Sequence, residues 1–163
     1  MQRPAIQVAV VMEREAAPNR WEDWRHSIVE VVPHEAAFGA EPRTLRDDGK
    51  VGRTLYPGFT LELFRDESEG YYLNLASAAP VWFVMWRTAD EDRSRAWPEI
   101  VSLSYNEAGR WLDAQEHVDN VPLEATTRDW LQAFVDEHYR PEPKERRRPQ
   151  SFLRPGERGG EPR

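Results

Sequence analysis

Val81-Trp82-Phe83-Val84-Met85-Trp86 is an uninterrupted run of large apolar residues, and its reading decides the fold. A strand points alternate side chains to opposite faces, so a strand with no polar position must be covered on both. This segment is therefore expected at the centre of a sheet. Working backwards, Ala78-Ala79-Pro80 turns the chain. Before it, Phe59-Thr60-Leu61-Glu62-Leu63 alternates cleanly and Tyr71-Tyr72-Leu73-Asn74-Leu75 follows an acid-rich turn, Asp66 to Gly70. The two read as a hairpin. Working forwards, a charged loop from Asp90 to Arg95 leads past Pro98 to a strand over Ile100–Tyr105.

Further upstream, Ile6–Met12 is a β-branched run suited to a buried strand, and Arg25–Val32 is a second strand ended by Pro33. Between Pro33 and Arg53 lie Gly39, Pro42, Asp47-Asp48-Gly49 and Gly52 with few apolar residues. That composition predicts a long mobile loop over 33–53, an insertion in the domain. Downstream the period turns helical. Ser104 and Glu107 have the spacing of a capping box, which starts a short helix through Trp111 and Leu112, broken by Asn120 and Pro122. Thr126 and Asp129 form a second such pair. Trp130, Leu131, Phe134, Val135 and His138 then share one stripe, and Arg140-Pro141 stops the helix.

The expected fold is α+β and mainly β. About six strands form a curved antiparallel sheet or partly open barrel, closed by the C-terminal amphipathic helix. Residues 1–139 are expected as one domain and 140–163 as a disordered basic tail, since Pro, Arg, Glu and Gly dominate it.

The 163 residues are 39% hydrophobic and 31% charged, enough apolar material for one core. No run of eighteen apolar residues is present, and the N-terminus lacks a signal-peptide core, so a cytoplasmic protein without a spanning helix is expected. The absence of cysteine excludes disulfides, thiolate metal sites and cysteine nucleophiles. The 22 basic and 29 acidic residues give a net charge of -7. From Arg140 onward 8 are basic and 4 acidic, which leaves 14 and 25, or -11, on residues 1–139. Such a body repels nucleic acid and anionic lipid, so a nucleic-acid regulator would have to act through the tail alone.

Motifs for chemistry are sparse. His34-Glu35 begins like a zinc-protease motif, but position 38 is Phe and the second imidazole is missing. The four histidines have no metal-ligand spacing, and the carboxylates cluster in turns where they are solvated. No nucleophile elbow, P-loop or dinucleotide fingerprint occurs. No catalytic residue, metal ligand or resident cofactor is therefore assigned. The aromatic residues are more informative, with seven tryptophans. One reading buries them on both sheet faces. The other makes Trp21, Trp24, Arg25, Tyr72, Asn74, Trp86 and Arg87 a partner-binding surface, because Trp, Tyr and Arg dominate binding hot spots.

Several ordered segments carry a resemblance. They are Val8-Ala9-Val10-Val11-Met12-Glu13-Arg14 with Asn19-Arg20-Trp21, Glu69-Gly70-Tyr71-Tyr72-Leu73-Asn74-Leu75, Val84-Met85-Trp86-Arg87, Ser104-Tyr105-Asn106-Glu107-Ala108, Arg110-Trp111-Leu112-Asp113, and His138-Tyr139 before Pro141. Over about residues 5–148 the chain resembles the bacterial domain-of-unknown-function family 3305. Members of that family tend to be encoded beside molybdenum- or tungsten-dependent formate dehydrogenases and their maturation proteins. Some carry the label of a molybdopterin-guanine dinucleotide biosynthesis protein. The residues speak against a nucleotidyltransferase, since Glu13-Arg14-Glu15-Ala16-Ala17-Pro18 follows the first strand with no glycine. The resemblance implies a non-catalytic accessory protein for assembly or maturation of a formate-dehydrogenase-like enzyme. Its partner would be a molybdoenzyme subunit or maturation factor, with a molybdopterin-type cofactor as an alternative cargo. An enzyme of the molybdopterin pathway is the alternative.

Overall fold

A computed structural model describes residues 2–17 and 24–141. It contains seven strands and three α-helices: β1 (Ala5–Ala16), β2 (Trp24–Pro33), β3 (Arg43–Asp47), β4 (Val51–Glu62), α1 (Ser68–Ala76), β5 (Val81–Thr88), β6 (Ala96–Ser102), α2 (Tyr105–Asp113), β7 (His117–Pro122) and α3 (Ala125–His138). The strands form two antiparallel sheets, one ordered β2-β1-β4-β3 and the other β6-β5-β7.

The apolar run that opened the reading is β5, the central strand of the smaller sheet. Its two faces feed two clusters. Trp82, Val84 and Trp86 join the main core, with Val8, Val10 and Met12 of β1 and with Leu131, Phe134 and Val135 of α3. Phe83 and Met85 pack with Ala108 and Trp111 of α2 on the other face. The β1 strand is likewise buried on both sides, because Ala9 and Val11 pack with Leu55 away from the main core. Period-two alternation thus assigns each strand's residues to separate clusters.

The expected barrel is not formed, and the sheets remain separate. Where β2 and β7 meet, the Ile28 amide donates to the Asp119 carboxylate at 2.9 Å. A side chain satisfies that edge donor, so the ladder does not continue from one sheet to the other.

Three sequence expectations are corrected. Tyr71–Leu75 is not a strand but part of α1. Ser68, Tyr71 and Asn74 are buried and Tyr72 and Leu73 exposed, a helical spacing that the aromatic run concealed. Asn74 explains the choice. Its amide donates to the carbonyls of Val81 and Leu103 at 2.8 and 3.0 Å and accepts from the Val81 N–H at 3.0 Å. The segment 33–53, expected as a loop, contains a 3-10 turn over Ala36–Phe38, strand β3 and the start of β4. Asp48 closes the β3–β4 hairpin by accepting the Lys50 and Val51 amides at 3.0 and 2.8 Å, with Gly49 at φ 88°. Finally, residues 117–122 form β7 and pair with β5, although Asn120 and Pro122 read as helix breakers. The expected last strand lies earlier, at Ala96–Ser102, with Pro98 accommodated at a register shift of an edge strand.

The capping pair at Ser104 is observed: its hydroxyl oxygen accepts the Glu107 amide. The α3 helix begins earlier than the Thr126–Asp129 pair suggested, with Glu124 at the N-cap. Glu124 is held by the Trp82 indole N–H at 3.0 Å and the Thr127 hydroxyl at 2.8 Å. Beyond Pro141 the expected disordered tail lies outside the described residues.

Candidate binding cleft

The two sheets part at one end and leave a cleft of about 350 Å³. Sheet one supplies Met12, Glu13 and Arg14 from β1, His26 from β2, and Gly52, Thr54 and Tyr56 from β4. The other sheet supplies Ser94 and Arg95 from the loop before β6, and Ala96 and Trp97 from β6 itself. The antiparallel register of β1 and β2 sets Arg14 opposite His26 and Ala16 opposite Trp24.

Arg14 is fixed on three sides. Its guanidinium lies over the Trp24 ring, 4.6 Å from the centroid. Its Nη1 donates to the Ser94 carbonyl at 3.3 Å. A Cβ at Gly52 would stand 3.8 Å from its Nε and Nη2, so the bare glycine backbone forms its remaining wall. His26 ties the same loop to β2, because its Nε2 lies 2.7 Å from the Arg93 carbonyl. A carbonyl only accepts, so this nitrogen carries the proton. The Tyr56 hydroxyl donates to the Ala96 carbonyl at 3.1 Å. Burial pushes the Tyr56 hydroxyl above its usual range, and it stays protonated.

Behind His26 stands Trp86, with ring centroids 5.7 Å apart. Trp86 also stacks on His117 at 4.2 Å and 12°. Its indole N–H is buried and has no hydrogen-bond partner among the described residues.

The residues proposed from sequence as one surface are distributed over several places. Trp24 lies against Arg14, one of the cleft residues, and Arg25, an exposed neighbour, follows it in β2. Trp21 lies outside the described residues. Trp86 and Asn74 are 8% and 2% exposed, so they are core rather than surface. Tyr72 belongs to the helical side, where it stacks on Tyr139 at 4.9 Å. Arg87 is engaged by Glu116, whose oxygens accept from Nε and Nη2 at 3.1 and 2.9 Å. That bidentate contact raises the guanidinium and lowers the carboxyl from their usual ranges. Arg14, His26, Tyr56 and Arg95 were missed. Their one signal was Arg14's place in a quoted family segment. The bulge in the β1–β2 pairing, at Val11/Met12, hides the Arg14–His26 register from simple counting.

Carboxylates near serines occur elsewhere, at the α1–α2 junction. Ser104 donates to Glu67 at 2.6 Å, accepts the Glu107 amide at 3.0 Å, and is fully buried. Ser102 donates to Glu107 at 2.6 Å while accepting the Ser104 amide at 3.0 Å. Both hydroxyls are consumed in fixing the cap, an arrangement that serves structure rather than nucleophilic attack. Among the described residues, no group of three His, Asp or Glu side chains is placed to hold a metal ion. No helix among them is long and apolar enough to cross a membrane.

Comparison with protein families matches residues 7–148 to the model described as Protein of unknown function (DUF3305). No curated protein and no solved structure matches.

Proposed function

The chain belongs to this family of unknown function, and from that membership we propose a non-catalytic accessory protein that acts by contact, through the cleft between its sheets. On this reading it helps assemble or mature a formate-dehydrogenase-like molybdenum or tungsten enzyme in the cytoplasm. The tendency of family members to be encoded beside such enzymes supports the choice of partner. The observation that carries the mode of action is Arg14, clamped by Trp24 and Gly52 at the mouth of an open cleft. An aromatic ring and a fixed guanidinium are the side chains that most often anchor a partner. The groups around them are hydrogen-bonded to backbone carbonyls, which orients them for binding.

Deletion of the gene in its host tests the proposal. Formate dehydrogenase activity should fall, with cofactor-poor enzyme accumulating. A Trp24→Ala variant should reproduce the defect while remaining folded, since a half-buried cation–π contact is worth about 0.5–2 kcal/mol. Normal formate dehydrogenase activity in the deletion strain, under conditions that require the enzyme, contradicts the reading.

A further inference from the structure

We propose that the cleft receives an oxyanion, a carboxylate or phosphate group, between Arg14 and Arg95. The inference rests on the cleft being the binding site. Residues 1–139 carry a net charge of -11, so a basic concavity stands against the general character of the surface. Arg14 reaches the cleft from β1, and Arg95 reaches it from the loop on the other sheet. Both arginines line the same cleft, together with Tyr56.

Three nearby carboxylates have partners, and one of them, Glu99, accepts from the Trp97 indole N–H at 3.0 Å. Glu13 is taken by Arg53 at 2.7 Å. Asp92 accepts from the Ser94 amide and hydroxyl at 3.0 and 2.7 Å, which keeps it ionised and removes one unit of positive charge. Among the residues that line the cleft, Arg14 and Arg95 stand against Glu13 alone, which leaves the lining positive. The Arg95 side chain makes no ion pair or hydrogen bond with another described residue. Arg14 is preorganised by Trp24, Gly52 and the Ser94 carbonyl, so little ordering entropy remains to be lost on binding. Its planar fork suits the paired oxygens of a carboxylate or a phosphate. About 350 Å³ is the low end for small-molecule sites, which suits a single acidic group, whether free or presented by a partner.

The test is an NMR titration of the full chain, labelled with nitrogen-15, at constant ionic strength. Inorganic phosphate and glutarate are added separately, with chloride as reference. Amide shifts are expected at Gly52 and at Ser94 to Trp97. Binding should weaken roughly tenfold or more in Arg14→Gln and in Arg95→Gln, as expected for losing a charge-assisted hydrogen bond. Arg110→Gln, which disturbs only the remote Glu67 pair, should bind like the parent. Arg95 is exposed, so its variant tests the site even if Arg14→Gln fails to fold. A response to phosphate alone identifies a phosphate carrier, and one to glutarate alone a carboxylate. Shifts no larger than with chloride, or equal affinity in the folded Arg variants, overturn the inference. The accessory reading fails separately: an anion site confirmed in vitro, with a dispensable gene in the host, leaves the site standing and removes the role.

Discussion

Gly70 shows how a single missing side chain sets a helix contact. A Cβ there would lie 2.1 Å from the Ser104 hydroxyl and 3.1 Å from the Asn106 amide nitrogen. Gly70→Ala ought to stabilise an isolated helix, yet here it forces α1 away from the α2 cap. We expect a net cost of about 1–3 kcal/mol by denaturant unfolding, the usual range for overpacking. Unchanged or raised stability contradicts the close approach. Asp48 offers a second residue-scale prediction. Hydrogen bonds from the Val51 amide, the Arg46 side chain and the Lys50 amide hold its carboxyl near about 2, below the usual 3.8. A depressed carboxyl contributes stability above its unfolded value, and that contribution is lost as pH falls through the folded one. The Lys50 and Val51 amides should lose their protection from exchange between about pH 3.8 and about pH 2. Protection unchanged through that window would show that the carboxylate does not hold the turn. The cue for this turn, Asp47-Asp48-Gly49, was visible in the sequence. The flanking strand was not, because every residue of β3 is exposed and so has no apolar periodicity.

At the scale of elements, the legible segments are those whose burial pattern matches one period. Ile6–Met12 and Val81–Trp86 were read as strands because β1 and β5 are covered on both faces. The α3 stripe was read as a helix because Leu131, Phe134 and Val135 are buried together. By contrast, α1 is short and carries Tyr72 and Leu73 outward, so its apolar residues do not mark its buried face. The β7 strand has Asn, Asp and Pro in its sequence, and its pairing partner lies thirty or more residues earlier. Phe134, 6% exposed and edge-on to Tyr71 at 5.8 Å, is the clearest probe of how α3 closes the core. Phe134→Ala should cost about 3–5 kcal/mol in urea or guanidinium unfolding. A cost below about 1 kcal/mol contradicts burial of that stripe. The buried Tyr71 should add an alkaline limit. Burial pushes its hydroxyl to about 12, so stability present below pH 10 should be lost as pH rises through that value. Tyr71→Phe should remove that alkaline loss, and an unaltered profile in the variant would assign it elsewhere.

For the whole molecule, the two-sheet arrangement has a functional consequence. Had the strands closed into the expected barrel, the ends of β1, β4 and β6 would have been paired or plugged. Separate sheets instead leave a gap bridged by side-chain bonds to one loop, at Arg14–Ser94 and His26–Arg93. The sequence pointed to aromatic residues beside arginines, and Trp24 is one that lies against an arginine of the cleft, Arg14. The other cleft residues come from segments far apart in sequence, joined by strand pairing within the first sheet and by side-chain bonds to the 93–95 loop, and one sequence specifies neither across a bulge. We propose that an enzyme partner is contacted through that cleft. Hydrogen–deuterium exchange on the full chain, with and without the purified formate dehydrogenase catalytic subunit lacking its cofactor, tests it most directly. New protection is expected at residues 12–14, 24–28, 52–56 and 93–97, lost in the Trp24→Ala variant. No protection on mixing, or protection confined to the exposed Tyr105–Leu112 face of α2, contradicts it.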